Sequence, residues 1–338
     1  MARVVSPAGR LAERILVVAG GMLAFALSIM NSVAGEIENG SIASDHLGRD
    51  IPYVVYLPDE AESVAGARRN LVRQGDARGD GRRYPVLYLL HGLGDDETTW
   101  LRLGKIRATL DRLIAARELL AMIVVMPRAG RSWYVDDARP GKAGAMFSAF
   151  SLDFIAGIEQ RYPTLTCRDG RAVGGLSMGG YGAVLAGVTQ PDRFRAVISL
   201  SGSLFLPDQG DFVARQKLYE RIFGGVFGVP PIYARFKAWN VFTRLAAVPE
   251  GAPVPDMFLS AGDDDFSSIL TGTVRFHVAL KRRGLGSQLR VIDARHDWAN
   301  WRGEIVGALK WLGARIAPAC QGIEDVRRPG SACDGAVC

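Results

Sequence analysis

Cysteine and histidine, the usual ligands of structural zinc, are scarce in this sequence. Its 338 residues include four cysteines and four histidines, and no histidine accompanies Cys320, Cys333 and Cys338 near the C-terminus. A structural zinc site needs four closely placed thiolate or imidazole ligands, so we expect no metal, and no motif points to an organic cofactor. Together with Cys167, the four cysteines allow three disulfide pairings, and the sequence does not choose among them.

The sequence also lacks the pattern of a nucleic-acid-binding protein. The net charge is +6, but adjacent arginines form scattered pairs, such as those at residues 68–69, 82–83 and 327–328, and no aromatic residues alternate with them in a basic stretch. Nucleic-acid-binding surfaces concentrate basic residues on one face. We therefore expect a solvated basic surface and no nucleic-acid partner.

An apolar run stands close to the N-terminus. Three arginines precede the apolar residues 15–30, and Ser32 and Ala34 fit a small-x-small cleavage site. This order is typical of a secretory signal peptide, which we predict over residues 1–34. The mature protein would then be secreted or periplasmic, with no stable membrane span. An uncleaved N-terminal membrane anchor is the alternative.

The remainder favours one catalytic domain with two insertions and a tail. No internal repeat is present, and we predict the domain over residues 35–316. Residues 59–83 are polar and interrupted by glycine, which indicates a surface insertion. Residues 207–253 mix aromatic residues with glycine and proline and are predicted to form a cap-like insertion. Residues 317–338 form a cysteine-containing tail.

Short apolar runs alternate with segments of helical periodicity along the domain. Two early strands are expected within residues 37–57. Buried strands are expected at residues 84–90, 122–126, 172–173, 195–200, 257–260 and 287–292, and helices at residues 106–117, 150–162, 181–189, 274–284 and 305–316. The alternation predicts an α/β fold with a mostly parallel sheet covered by helices on both faces. Such sheets place their sites beyond the carboxyl ends of the strands.

The segment Gly175-Leu176-Ser177-Met178-Gly179 stands between a predicted strand and a predicted helix. The pattern G-x-S-x-G in that context is typical of a nucleophile elbow, a tight turn that exposes a serine hydroxyl. Glycines flank the serine because larger residues would collide with the strand and the helix. We predict Ser177 as a nucleophile.

A serine hydroxyl needs an adjacent base, which is usually a histidine oriented by a carboxylate. In the elbow arrangement the base follows the serine and the acid in the chain. His277 stands in the middle of a predicted helix, whereas His296 follows the last predicted strand, so we predict His296 as the base. His91 precedes the serine and is the weaker candidate.

The acid should follow the penultimate strand, where Asp263, Asp264 and Asp265 all stand. Spacing alone does not separate the three. Attack by the serine also creates an oxyanion that needs two backbone N–H donors. We expect them from Met178, which follows the nucleophile, and from Leu93, in the glycine-containing turn after the first buried strand.

These motifs together resemble the esterase D-like family of α/β-hydrolases. That family contains feruloyl and acetyl-xylan esterases, S-formylglutathione hydrolases, enterochelin esterases and the antigen 85 mycolyltransferases. The matching segments run in family order at residues 84–93, 126–134, 175–183, 262–266 and 296–301. The resemblance implies the α/β-hydrolase fold, places the acid on Asp265, and supports Leu93 and Met178 as oxyanion donors. The sequence departs from the family at Ala294-Arg295, where relatives often carry two glycines.

The expected function is that of an exported serine carboxylic-ester hydrolase. It would form an acyl-enzyme from small, aromatic or carbohydrate-linked esters, with Trp133 and Trp298 in contact with the substrate. The aromatic residues of the cap-like insertion either line the pocket or pack beneath the cap. The alternatives are an acyltransferase of the antigen 85 type and a non-catalytic surface-binding module on the same fold.

Overall fold

The computed structural model of the chain describes residues 34–58, 83–137 and 144–320. The predicted signal peptide up to Val33, residues 59–82 of the predicted surface insertion, and residues 321–338 of the tail lie outside the described residues. Cys333 and Cys338 belong to that last segment. Within the described ranges, no helix combines the length and the apolar composition that crossing a membrane requires.

Eight strands form one sheet with the order β1-β2-β4-β3-β5-β6-β7-β8. The strands are β1 (Glu36–Ile42), β2 (Ile51–Leu57), β3 (Val86–Leu90), β4 (Ile123–Pro127), β5 (Arg171–Leu176), β6 (Ala196–Leu200), β7 (Asp256–Gly262) and β8 (Ser287–Ile292). Strand β2 pairs antiparallel with β1 and β4, and the other neighbours are parallel. All eight strands lie where strands were predicted, but β8, which was expected to be buried, has no buried residue, because it forms an edge of the sheet.

The central strands are buried on both faces. In β3, Val86, Tyr88 and Leu90 belong to one core cluster, while Leu87 and Leu89 belong to a second cluster across the sheet. Successive side chains of a strand point to opposite faces. An unbroken apolar strand therefore indicates helices on both sides, as the sequence predicted.

The helices cover the two faces of this sheet. They are α1 (Thr99–Arg102), α2 (Ile106–Ala115), α3 (Met146–Ser148), α4 (Ile155–Arg161), α5 (Met178–Thr189), α6 (Gln209–Ala214), α7 (Gln216–Phe223), α8 (Tyr233–Trp239), α9 (Val241–Ala247), α10 (Ser267–Arg282) and α11 (Trp298–Gly313). A π-helical segment, Ala149–Phe154, joins α3 to α4. Buried residues of α2 and α11 contribute to one core cluster, and those of α4 and α5 to the other.

The predicted start of the last helix was wrong by seven residues. We placed it at Ile305, the first residue of a strong apolar period, but α11 begins at Trp298. The Asp297 carboxylate accepts a hydrogen bond from the backbone N–H of Asn300 and caps the helix. Such caps accept hydrogen bonds from N–H groups of the first turn, which have no acceptor within the helix. Helix α10 likewise begins at Ser267 rather than at residue 274.

Residues 207–253 contain the four short helices α6 to α9. The rings of Phe212, Tyr219, Phe223 and Phe236 pack together and are buried. The Tyr181 hydroxyl of α5 donates to the Trp239 carbonyl at 2.7 Å, which joins this insertion to the helix behind the elbow. These contacts give the buried aromatic residues a packing role.

A disulfide between Cys167 and Cys320 joins the turn before β5 to the segment after α11. The sequence separation is 153 residues, and the Ala317 N–H also donates to the Asp169 carbonyl beside it, at 2.8 Å. This bond identifies Cys320 as the partner of Cys167, a choice that the sequence left open.

Candidate active site

Ser177 lies between β5 and α5 in a backbone conformation that is rare for residues with a side chain. Its φ is 52° and its ψ is −117°. Such a conformation costs of the order of 1–3 kcal/mol and persists only where neighbouring contacts enforce it. The Ser177 N–H donates to the Leu200 carbonyl at 2.9 Å, and the Ser177 carbonyl accepts from the Ser203 N–H at 3.1 Å. The end of β6 therefore holds the elbow in place.

The two glycines of the elbow are required by close backbone approach. A Cβ on Gly175 would lie 2.5 Å from the carbonyl carbon of Gly179, and a Cβ on Gly179 would lie 2.5 Å from the Leu90 carbonyl oxygen. Real Cβ atoms do not approach backbone atoms so closely. The strand, the turn and the helix meet here because both positions lack side chains.

His296 lies between Ser177 and Asp265. Its Nε2 atom is 3.0 Å from Ser177 Oγ, and its Nδ1 atom is 2.8 Å from Asp265 Oδ1. The Asp265 side chain has no solvent exposure, and its Oδ1 also accepts the Phe266 N–H at 2.7 Å. The structure thus brings the predicted nucleophile, base and acid into one hydrogen-bonded line.

The other two aspartates of the run make different contacts. Asp263 Oδ1 accepts the N–H groups of Asp264 and Ala294, at 3.0 and 3.2 Å. The Asp264 carboxylate is exposed and lies 3.9 Å from the exposed guanidinium of Arg295. Asp263 therefore supports the loop that carries His296, whereas Asp264 faces solvent.

The departure at Ala294-Arg295 is accommodated by Gly262, at the end of β7. A Cβ on Gly262 would lie 1.9 Å from the Ala294 carbonyl oxygen, and that oxygen accepts the Asp264 N–H at 3.2 Å. The close approach that the loop before His296 requires is thus provided by a glycine on the neighbouring strand.

Two aromatic rings lie against the His296 imidazole. The Trp301 ring meets it edge-on with centroids 5.0 Å apart, and the Phe266 ring is tilted by 47° with centroids 5.1 Å apart. Trp301 is 6% exposed and Phe266 is 64% exposed. No role was predicted for Phe266 from the sequence. Its position directly after the acid was the available signal.

The turn after β3 lies next to the elbow. A Cβ on Gly92 would lie 3.7 Å from Ser177 Cβ. Within the described part of the chain, the N–H groups of Leu93 and Met178 donate to no backbone carbonyl. Both proposed donors are thus free of backbone partners, and their role in binding an oxyanion stays a prediction.

His91 links this turn to the one after β4. It is buried; its Nδ1–H donates to the Gly92 carbonyl at 2.8 Å, and its Nε2 accepts the Ala129 N–H at 3.0 Å. Because Nε2 accepts, the ring carries its proton on Nδ1. Burial lowers the pKa of His91, so the ring is neutral and both nitrogens are occupied by the backbone.

The two predicted substrate contacts lie in packed surroundings. Trp133 is 3% exposed, and its Nε1–H donates to the Ile222 carbonyl at 3.0 Å. Its ring packs against Phe223 with centroids 4.9 Å apart. Trp298 is half-buried, with its ring edge-on to Trp100 and Trp301. A substrate contact at either position stays a prediction.

Among the residues that the structure describes, no group of three or more histidine, cysteine or acidic side chains is arranged to hold a metal ion. The site instead offers a hydroxyl, an imidazole and a buried carboxylate in line. In enzymes, an arrangement of this kind activates a serine hydroxyl as a nucleophile.

Comparisons with known proteins show which family the chain resembles. The sequence profile of the putative esterase family matches residues 44–312. An acetyl esterase of Caldicellulosiruptor saccharolyticus is 26% identical over 241 residues, which are 69% of this chain and 85% of that protein. An endo-1,4-beta-xylanase/feruloyl esterase of Xylanibacter ruminicola is 31% identical over 180 residues, which are 52% of this chain and 23% of that protein.

Solved structures show the same architecture. A ferulic acid esterase superimposes with a TM-score of 0.67 and 26% sequence identity. The match covers 84% of this chain and 99% of that one.

Proposed function

Because the chain belongs to the putative esterase family, we propose that it hydrolyses carboxylic esters through Ser177, His296 and Asp265. Family membership confirms the predicted resemblance, the predicted α/β-hydrolase fold and the prediction that the chain is a carboxylic-ester hydrolase. One observation carries the assignment of residues. His296 stands within hydrogen-bond distance of both the serine hydroxyl and the buried carboxylate.

In the proposed reaction, Ser177 Oγ attacks the ester carbonyl while His296 Nε2 takes the hydroxyl proton. The tetrahedral intermediate collapses, the bond from the acyl carbon to the alcohol oxygen breaks, and Nε2 passes the proton to the departing alcohol. Water then attacks the acyl-enzyme with Nε2 as base. The acid is released and the Ser177 hydroxyl is restored.

Asp265 has two tasks in this proposal. Its Oδ1 accepts the Nδ1–H of His296, which leaves Nε2 free to take the serine proton. Its buried negative charge stabilises the imidazolium that forms in the transition state. The N–H groups of Leu93 and Met178 stabilise the negative charge on the former carbonyl oxygen.

We propose small, aromatic or carbohydrate-linked esters as substrates. The relatives named for acetyl and feruloyl esters support this range. We also propose export from the cytosol. The N-terminal sequence pattern supports it, and so does the Cys167–Cys320 disulfide, because cytosolic proteins rarely keep structural disulfides.

The test is hydrolysis of p-nitrophenyl acetate, butyrate and octanoate by the purified protein and by Ser177→Ala. Loss of the nucleophile should lower kcat by roughly 10⁴- to 10⁶-fold. A Ser177→Ala variant as active as the wild type would refute the assignment. If the wild type turns over none of the esters, a fluorophosphonate probe separates the alternatives. Labelling of the protein would indicate a dedicated transferase, and the absence of labelling would indicate a binding module.

A further inference from the structure

Phe266 is the one exposed aromatic side chain among the residues that the structure describes. Its side chain is 64% exposed, although burying a large apolar side chain away from water stabilises a protein. The fold needs its backbone N–H, which donates to Asp265 Oδ1, but any residue other than proline supplies that group. The packing of the protein therefore does not account for the ring.

The Phe266 ring lies beside the candidate base. Trp301 supports the His296 imidazole from the core, with a 6% exposed side chain. Phe266 contacts the same imidazole with a centroid separation of 5.1 Å and is 64% exposed. The ring therefore places an apolar, solvent-facing surface next to the imidazole.

The proposed mechanism identifies the part of a substrate that comes close to the Phe266 ring. His296 Nε2 must come within about 3 Å of the departing alcohol oxygen to pass on the serine proton. Groups attached to that oxygen then lie beside the imidazole, within reach of the adjoining ring. The acyl group, by contrast, remains bonded to Ser177 after the alcohol has left.

We propose that Phe266 forms the subsite for the alcohol portion of the ester and selects alcohols with a flat apolar face. Aryl alcohols offer such a face as a ring of π electrons, and pyranose sugars offer it as a row of C–H groups. This inference rests on the function proposed above. It predicts that Phe266 acts on acylation and has no part in deacylation, when the alcohol is gone.

The test uses three acetates that form the same acetyl-enzyme: phenyl acetate, a monoacetylated methyl glucopyranoside and ethyl acetate. In Phe266→Ala, kcat/KM should fall about threefold to tenfold for the two ring-bearing acetates and stay within twofold for ethyl acetate. Comparing variant with wild type on each substrate cancels the differing reactivity of the leaving groups. Where deacylation limits the rate, kcat should be unchanged.

Two further variants serve as controls. Phe266→Trp keeps a flat aromatic face and should retain kcat/KM for the ring-bearing acetates. Leu152→Ala removes an apolar side chain that is 53% exposed on the π-helical segment, and it should leave all three substrates unaffected. A loss confined to one of the two ring-bearing acetates would support the subsite and identify its alcohol.

Three results would overturn the inference. An equal loss on all three acetates would mean that the ring acts through His296. A loss that follows acyl-chain length in a series of phenyl esters would place the ring on the acyl side. No loss on any substrate would mean no contact. If turnover still depends on Ser177, these results refute only the subsite; turnover equal in Ser177→Ala refutes the proposed function itself.

Discussion

Asp265 is the one member of its aspartate run whose carboxylate reaches His296. Asp265→Asn should lower kcat by roughly 10³- to 10⁴-fold, because the amide neither stabilises an imidazolium nor fixes the tautomer. The loss should appear in steady-state kinetics on p-nitrophenyl acetate. Asp264→Asn is the matched control, since the Asp264 carboxylate is exposed, and it should stay within twofold of the wild type. Equal losses in both variants would contradict the assignment.

His91 provides a prediction on pH. Because burial lowers its folded-state pKa below the usual 6.5, the unfolded chain takes up a proton below about pH 6.5 while the folded chain does not. The free energy of unfolding should therefore decrease as the pH is lowered below about 6.5. This group contributes a decrease of up to about 1.4 kcal/mol per pH unit. The loss ends below the folded-state pKa, where both states are protonated.

The variant His91→Gln isolates that contribution, because glutamine does not titrate and its side-chain oxygen can still accept the Ala129 N–H. Urea unfolding at pH 7.5 and pH 5.5 should show a difference between wild type and variant that shrinks at the lower pH. A difference of the same size at both pH values would show that His91 has the same pKa in the folded and the unfolded protein, and a larger difference at pH 5.5 would show that folding raises its pKa.

Single residues also show where sequence reasoning stops. The spacing left Asp263, Asp264 and Asp265 equivalent, because all three follow β7, and only the resemblance to a family separated them. The turn after β7 directs each side chain differently, and that direction depends on the contact between Gly262 and the loop before His296. The spacing of residues along the sequence does not predict such a contact between distant segments.

At the scale of elements, Gly262 allows β7 and the histidine loop to approach. In Gly262→Ala the new Cβ would meet the Ala294 carbonyl oxygen at 1.9 Å, so the loop must shift. We expect kcat to fall at least about tenfold, because displacement by about an ångström misaligns a catalytic base. The free energy of unfolding should fall by about 1–3 kcal/mol. Kinetics and urea unfolding measure the two effects.

Gly303→Ala is the matched control. Gly303 lies within α11, and a Cβ there would meet nothing within 4 Å. Alanine is the better helix former by about 1 kcal/mol, so stability should stay equal or rise and activity should not change. A loss of activity in Gly303→Ala would mean that α11 as a whole, and not the contact at Gly262, governs the position of His296.

Elements were predicted well where packing repeats along the chain and less well where a single side chain decides. Strands β2 to β7 are buried on both faces, and their patterns are visible over five to seven residues. The start of α11 depends on the Asp297 carboxylate and the Asn300 N–H, and its first turn precedes the strongest apolar period. A boundary set by one capping hydrogen bond leaves little trace in periodicity.

At the scale of the whole molecule, the cap-like insertion was the part that the sequence predicted least. Its aromatic residues were consistent both with a pocket lining and with packing beneath a cap. Phe212, Tyr219, Phe223 and Phe236 pack mainly against one another, across four short helices whose relative placement no local pattern determines. Sequence periodicity therefore finds the sheet and its covering helices, but not an irregular insertion.

The Cys167–Cys320 disulfide ties the C-terminal helix layer to the start of β5, which leads to Ser177. Because the two cysteines are 153 residues apart in the sequence, the bond restricts the unfolded chain strongly. In the loop-closure model this restriction stabilises the folded protein by up to about 5 kcal/mol. In the double variant Cys167→Ala/Cys320→Ala, the free energy of unfolding measured with urea should be lower by about 2–5 kcal/mol. At urea concentrations below the unfolding transition, its kcat should stay near the wild-type value. Reductant should destabilise the wild type and leave the variant's transition unmoved. A variant as stable as the wild type would mean that the bond restrains only the tail.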